Sequence, residues 1–348
     1  NNFIRLCQNE TLIASIPKFV ENLKISIIIP EFNAQKYLKK TIRSIQNQKM
    51  DEIEIIIVDD FSSDNTSELV LKLQEEDPRI KYIKNKENRG TLYSRSIGAL
   101  NAKSKYIMTI DNDDLFLPGI FNISYEEAEI NDIDILEFSG CDISMNSFVR
   151  KCIQCFFLSF KRNGIIITQP ELSTYIYRKD NRIKANPDYK IIDAYLWGKI
   201  IKSSIYKKAL ETIGEEIYSQ YICYCEDRLV NFALFRVANT FKYIKRYGII
   251  HYMNPTSVIY TWKNKTDKIL HDELVNVGSI YKLTKNTNDS FLTAVQFQFM
   301  WKYAENGISP ENQKIAQKII KEMLNDSFIP EFRKQQIIET VKDKIDLK

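Results

Sequence analysis

Residues 25–29 read Ile-Ser-Ile-Ile-Ile and stop at Pro30. Residues 54–58, Glu-Ile-Ile-Ile-Val, repeat the pattern and stop at Asp59-Asp60. RIKYIK at 79–84 and YIMTI at 106–110 are the third and fourth runs. Continuous apolar strands, as opposed to alternating ones, imply burial on both faces, as in a parallel sheet. Helical spacing fills the gaps between them. Leu38, Thr41, Ile42 and Ile45 share one face of 34–48, with Asn33 as the expected N-cap. Leu69, Val70 and Leu73 do so in 65–75, and Leu92, Ser96, Ala99 and Leu100 in 91–102. This alternation predicts a doubly wound α/β sheet over 24–115. Ligands of such sheets bind beyond the carboxyl ends of the strands. Pro30-Glu31, Asp59-Asp60 and Asp111 to Asp114 are therefore expected on one rim.

Further along, the pattern predicts a helix over 117–130 and a strand over 133–138. Residues 141–190 are mixed and read poorly. Helical blocks are expected over 192–213, over 226–239 and from 268 onward. Ser309-Pro310 is a helix start, followed by an apolar stripe of Ile315, Ile319, Ile320 and Met323.

The 49 basic and 45 acidic residues of this 348-residue chain leave a net charge of only +4. No one-sided basicity marks a nucleic-acid binder. No apolar run approaches the roughly 20 residues of a membrane span, so association with a membrane would be peripheral. A zinc site would need Cys152/Cys155 and Cys223/Cys225 to converge, and the C-x-C spacing of the second pair is poor for it, so these cysteines read as free thiols.

Asp111 and Asp113 stand at the end of a buried strand, where adjacent carboxylates repel. A divalent cation removes that cost, and hard oxygen ligands suit Mn2+ or Mg2+ shared with phosphate oxygens. The alternative is that the tetrad caps the next helix, a role that fits Asp114 best. One aspartate of Asp59-Asp60 could accept a hydrogen bond from a nucleobase. Ser63, Asp64 or Asn65 could equally cap the following helix.

Taken together, IIIPEFN (27–33), IIIVDDFSSDNT (55–66), NRGTLYSRSIGA (88–99) and YIMTIDNDD (106–114) closely resemble the nucleotide-sugar-binding half of family 2 glycosyltransferases, which have the GT-A fold. The order and spacing match. The resemblance implies that Pro30 and Glu31 lie beside the nucleoside and that Asp59 or, preferably, Asp60 reads the base. Arg89, Arg95 and Asn112 would lie near the nucleotide. Arg95 has two alternatives, the helix surface or a pair with Asp111. Asp111 and Asp113 would serve the metal. Phe32 and Phe61 depart from the family pattern, Phe61 standing where a small residue is usual.

LWGKIIKSSIY (196–206) and YCEDRLVNFALF (224–235) resemble the Trp-x-Lys and Glu-Asp segments of non-processive bacterial members. This makes Asp227 the general base, with Glu226 beside it. Read without the resemblance, Glu226-Asp227 is an ordinary helix start. Trp197 is a candidate for stacking on an acceptor sugar or a core residue. His251 is a third metal ligand or a structural histidine on a strand, and 254–257 a loop over the donor. Gln296, Gln298 and Trp301 echo the processive motif, but no arginine precedes the tryptophan. Transfer of one sugar per encounter is expected.

The implied division is an N-terminal extension (1–23), a nucleotide-sugar half (24–140), an acceptor half (141–265) and a helical C-terminal region (266–348). The implied activity is inverting, metal-dependent transfer from a nucleotide-sugar, a UDP-sugar by preference. The acceptor would be a carbohydrate, glycolipid or glycoprotein. A catalytically inactive GT-A domain serving as scaffold or complex subunit is the alternative. A nucleotidyltransferase ranks third, because the first strand is followed by PEFNAQKY, which has no glycine.

Overall fold

The computed structural model describes residues 22–144, 164–168, 195–253, 266–287, 290, 294 and 308–345. The expectations for most of 141–190, for the loop 254–257 and for Gln296, Gln298 and Trp301 lie outside the described residues.

β1 (Ile25–Glu31), β2 (Ile53–Asp59), β3 (Ile80–Lys84) and β4 (Tyr106–Thr109) run parallel in the order β3-β2-β1-β4. β5 (Leu115–Phe116), β6 (Ile135–Ser144), β7 (Gly164–Thr168), β8 (Lys199–Lys202) and β9 (Thr240–Met253) extend the sheet. Its order among the described residues is β3-β2-β1-β4-β8-β6-β9-β5, with β7 also on β9. Alternate residues of the early strands enter opposite cores. Ile28, Ile56, Val58 and Ile107 face one, while Ile27, Ile29, Ile55, Ile57 and Met108 face the other. Two-sided burial is why these strands read as unbroken apolar runs.

On one face lie α1 (Leu38–Gln46), α2 (Thr66–Glu76) and α4 (Ile120–Ile130). On the other lie α3 (Thr91–Asn101), α5 (Ser203–Ile213), the short α6 (Glu215–Tyr218) and α7 (Glu226–Val237). A third apolar cluster joins α8 (Thr266–Thr284), α9 (Pro310–Leu324) and α10 (Glu331–Val341). Ser309 caps α9 as expected, accepting from the Asn312 N–H, and Ile319, Ile320 and Met323 are buried.

Two local expectations are corrected. The 192–213 block contains a strand, β8, before its helix. Lys199-Ile-Ile-Lys202 is antiparallel to both β4 and β6, and that slot outweighs helical propensity. Asn33 does not cap α1, which begins at Leu38 after a turn. It takes a left-handed conformation (φ 53°), and its side-chain oxygen accepts from the Ser63 and Asp64 N–H groups. An asparagine tolerates that conformation and here orders the loop after β2 instead.

Candidate active site

The parallel register puts Glu31 and Asp59 side by side at the ends of β1 and β2. Asp59 is fully buried. It accepts from the Ser62 N–H (2.6 Å), Ser67 Oγ (3.0 Å) and Tyr82 Oη (2.5 Å), with Lys84 Nζ at 3.6 Å. Burial pulls its pKa up, but the bonds from Tyr82, Ser62 and Ser67 outweigh this and hold it below the usual carboxylate range. Glu31 is the opposite case. Burial and then the Asp59 and Asp64 charges push it up to about 9, so it is neutral near pH 7. Ser62 Oγ contacts Glu31 Oε2 at 3.4 Å, while buried Oε1 has no partner. Pro30 is buried in register with Val58. Phe61 adopts φ 68°, a left-handed conformation that favours glycine.

Asp60 is also buried, and its carboxylate organises the next loop. Oδ1 accepts from Asn85 Nδ2 and the Arg89 N–H, and Oδ2 from the Gly90 N–H, each at 2.8 Å. That leaves acceptor capacity on Oδ2. The loop 88–90 in turn meets the segment before α7. Arg89 Nη2 donates to the Ser219 carbonyl at 2.8 Å, and its guanidinium lies over Tyr93. Gly90 has φ 86°, and a Cβ there would come within 2.8 Å of the Ile222 carbonyl oxygen. Asn85 was not singled out in sequence, because nothing marks an asparagine that follows an edge strand.

The acidic tetrad divides. Asp114 is fully buried and accepts from the Tyr252 N–H of β9 at 2.9 Å. It therefore ties the turn to β9 and does not cap the next helix, which starts at Ile120. Thr41 Oγ1 donates to the Asn112 and Asp114 carbonyls and fixes the turn from α1. Asp111 and Asp113 stay at least partly exposed.

Arg95, buried on α3, joins the turn after β4 to the start of α7. Nη2 donates to Asp111 at 2.5 Å, and Nη1 to Glu226 at 2.6 Å and to Asp227. Of the alternatives for Arg95, the pair with Asp111 is the one formed. Burial opposes its charge, but Asp227, Asp111 and Glu226 outweigh that and keep it protonated. Burial raises Glu226 to about 8 against the pull of Arg95. It also raises Asp227, again against Arg95, with Asp111 adding to the rise. Asp227 Oδ2 accepts a long bond from the Leu196 N–H at 3.3 Å.

Trp197 is 7% exposed and belongs to the core. It stacks with Tyr195 at 4.8 Å and with His251 at 5.7 Å between ring centroids. His251 thus sits in a ring cluster. Among the described residues no three His, Cys, Asp or Glu side chains gather as a metal site, so His251 does not join Asp111 and Asp113 in one. Two carboxylates on an exposed turn nevertheless fit Mn2+ or Mg2+, which bind through one or two carboxylates, water and phosphate oxygens. Cys141, Cys223 and Cys225 are free thiols. No helix among the described residues is long and apolar enough to cross a membrane.

Residues 26–164 match the family model described as Glycosyl transferase family 2. The chain is similar to EpsJ of Bacillus subtilis, described as an uncharacterised glycosyltransferase, at 28% identity over 67% of this chain and 62% of that protein. It is also similar to the GalNAc(5)-diNAcBac-PP-undecaprenol beta-1,3-glucosyltransferase of Campylobacter jejuni, at 40% identity over 30% of this chain and 34% of that protein. The chain thus spans less than two thirds of the length of these relatives. Among solved structures it is similar to S. aureus TarS 1-349 in complex with UDP-GlcNAc. The TM-score is 0.61 at 16% identity, over 92% of this chain and 85% of that one. The match to glycosyl transferase family 2 thus covers residues 26–164, and the α/β architecture is the GT-A fold.

Proposed function

We propose that the chain is an inverting glycosyltransferase that moves one sugar from a nucleotide-sugar, a UDP-sugar by preference, to an acceptor hydroxyl. The carrying observation is that Arg95 joins Asp111, on the rim of the nucleotide half, to Asp227 at the start of α7. Support for the donor class comes from the family match and from the fold shared with a protein solved with UDP-GlcNAc.

In this reading Asp111 and Asp113 would hold Mn2+ or Mg2+. The bound cation would supply charge neutralisation for the departing nucleoside diphosphate. Glu31, Asp60 and the turn 88–90 shape the nucleoside end. Asp227 takes the acceptor hydroxyl proton, and burial, by raising its pKa, makes it a stronger base than an exposed aspartate. The deprotonated oxygen attacks the anomeric carbon from the side opposite the leaving group, so configuration inverts. Arg95 holds the base in place and offsets its repulsion from Asp111.

The test is a thermal shift with UDP and Mn2+ against UDP alone, paired with product analysis by NMR. A metal-dependent upward shift and an inverted anomeric product are expected. Absence of a metal-dependent shift would favour the scaffold alternative, and retention would sink the single-displacement chemistry. Asp227→Asn is expected to abolish transfer and leave the UDP shift in place.

A further inference from the structure

We infer that Tyr195 forms the stacking wall of an acceptor-sugar subsite beside Asp227, and that its ligand is a pyranose ring with an accessible C–H face. This rests on the proposed transfer reaction and names the substrate class of its acceptor side.

The first observation is exposure. Tyr195 is 47% exposed, whereas Trp197, against which it lies at an interplanar angle of 13°, is 7% exposed. The buried indole backs the phenol and fixes the plane of the exposed ring. The second is how the main chain is held. Lys199 Nζ donates to the Tyr195 carbonyl at 2.5 Å and pairs with buried Glu137 at 3.2 Å. An ammonium withdrawn from water is used here to pin one backbone oxygen, which a merely exposed surface tyrosine does not need. The third is proximity to the base. Leu196, the residue between the two rings, gives its N–H to Asp227 Oδ2. The residue that follows Tyr195 in the chain is thus hydrogen-bonded to the proton acceptor.

The electron-rich face of an aromatic ring attracts the weakly positive C–H face of a pyranose, and both surfaces shed water on contact. A sugar lying flat on the phenol presents its hydroxyls along the ring edge, the direction in which a neighbouring carboxylate can take a proton. A few polar groups around an apolar wall is the usual composition of such a pocket. Trp197 has too little open surface to play this part itself.

The test uses methyl β-D-glucopyranoside, methyl β-D-galactopyranoside and methyl N-acetyl-β-D-glucosaminide as probes. Saturation-transfer NMR reads the sugar C–H protons with UDP and Mn2+ present, for the wild type, Tyr195→Ala and Tyr195→Phe. UDP affinity is measured on the same samples. At least one pyranoside should receive saturation in the wild type, lose it about fivefold in Tyr195→Ala and keep it in Tyr195→Phe. UDP affinity should be unchanged by either substitution. Equal signals in the wild type and Tyr195→Ala, equal losses in both variants, or no signal from any probe would overturn the subsite. A tyrosine-dependent sugar signal without UDP binding would leave the subsite standing and remove the donor reading.

Discussion

Arg95 on α3 and Asp227 at the start of α7 are bonded to each other across 132 residues of sequence. The same guanidinium holds Asp111 and Glu226, so one buried cation faces three carboxylates. Two helices from different halves of the chain are fixed to one rim of the sheet by a charge that neither could leave uncompensated. Arg95 therefore sets the separation of Asp111 and Asp227.

Removing Arg95 should cost more than removing any single partner. Arg95→Met leaves buried like charges facing one another, and a loss of about 3–5 kcal/mol is expected in urea unfolding. Arg95→Met combined with Asp111→Asn should recover part of that loss, because one of the charges that Arg95 compensated is gone. A loss below about 1 kcal/mol for Arg95→Met would show that the network carries no such burden.

Glu31 predicts a pH dependence of stability. Its carboxyl rises from 4.5 to about 9 on folding, through burial and then the charges of Asp59 and Asp64. Between those values the folded chain keeps a proton that the unfolded chain has released. Its contribution is complete below pH 4.5 and is lost as the pH rises through 9. Glu31→Gln keeps a neutral side chain of nearly the same shape. Urea midpoints from pH 5 to 8.5 should fall less steeply for this variant, by at most about 1.4 kcal/mol per pH unit, the ceiling for one proton. Parallel slopes for the two proteins would refute the assignment.

The turn at 88–90 should be intolerant of a methyl group. At Gly90 a Cβ meets the Ile222 N and O within 2.9 Å, at a φ that side chains rarely adopt. Gly90→Ala is expected to destabilise by about 1–3 kcal/mol. It should also speed hydrogen exchange at the Arg89 and Gly90 amides, which Asp60 now holds. Exchange rates equal to those of the wild type would mean that this turn and the 219–222 segment are not coupled.

The parallel half of the sheet was legible in sequence because burial on both faces leaves an unmistakable trace, as at Ile27, Ile28 and Ile29. The rim carboxylates were legible because polar clusters follow those runs without spacers. The Arg95–Asp111 pair was one of three readings that the sequence left open. Other features depend on distant partners. Lys199 to Lys202 is too short to show a period, and only the slot between β4 and β6 makes it a strand. Asn33 looked like a cap because its true partners, Ser63 and Asp64, lie on the next loop. Nothing in the chain distinguishes Tyr195 from other tyrosines until Trp197 is seen behind it.

Gly140 offers the most direct check on that aromatic wall. A Cβ at this position on β6 would fall 2.1 Å from Trp197 Cζ3 and 2.6 Å from Cη2, so alanine cannot be added without moving the indole. The indole in turn backs Tyr195 and neighbours His251. Gly140→Ala should therefore cost about 1–3 kcal/mol and weaken the near-ultraviolet circular dichroism of the ring cluster. Trp197→Phe removes the atoms that clash, so the alanine should cost less in that background than in the wild type. A double-mutant cycle on urea unfolding reads this coupling directly. If the two substitutions were additive, the close approach of β6 to Trp197 would not be what holds the cluster in place.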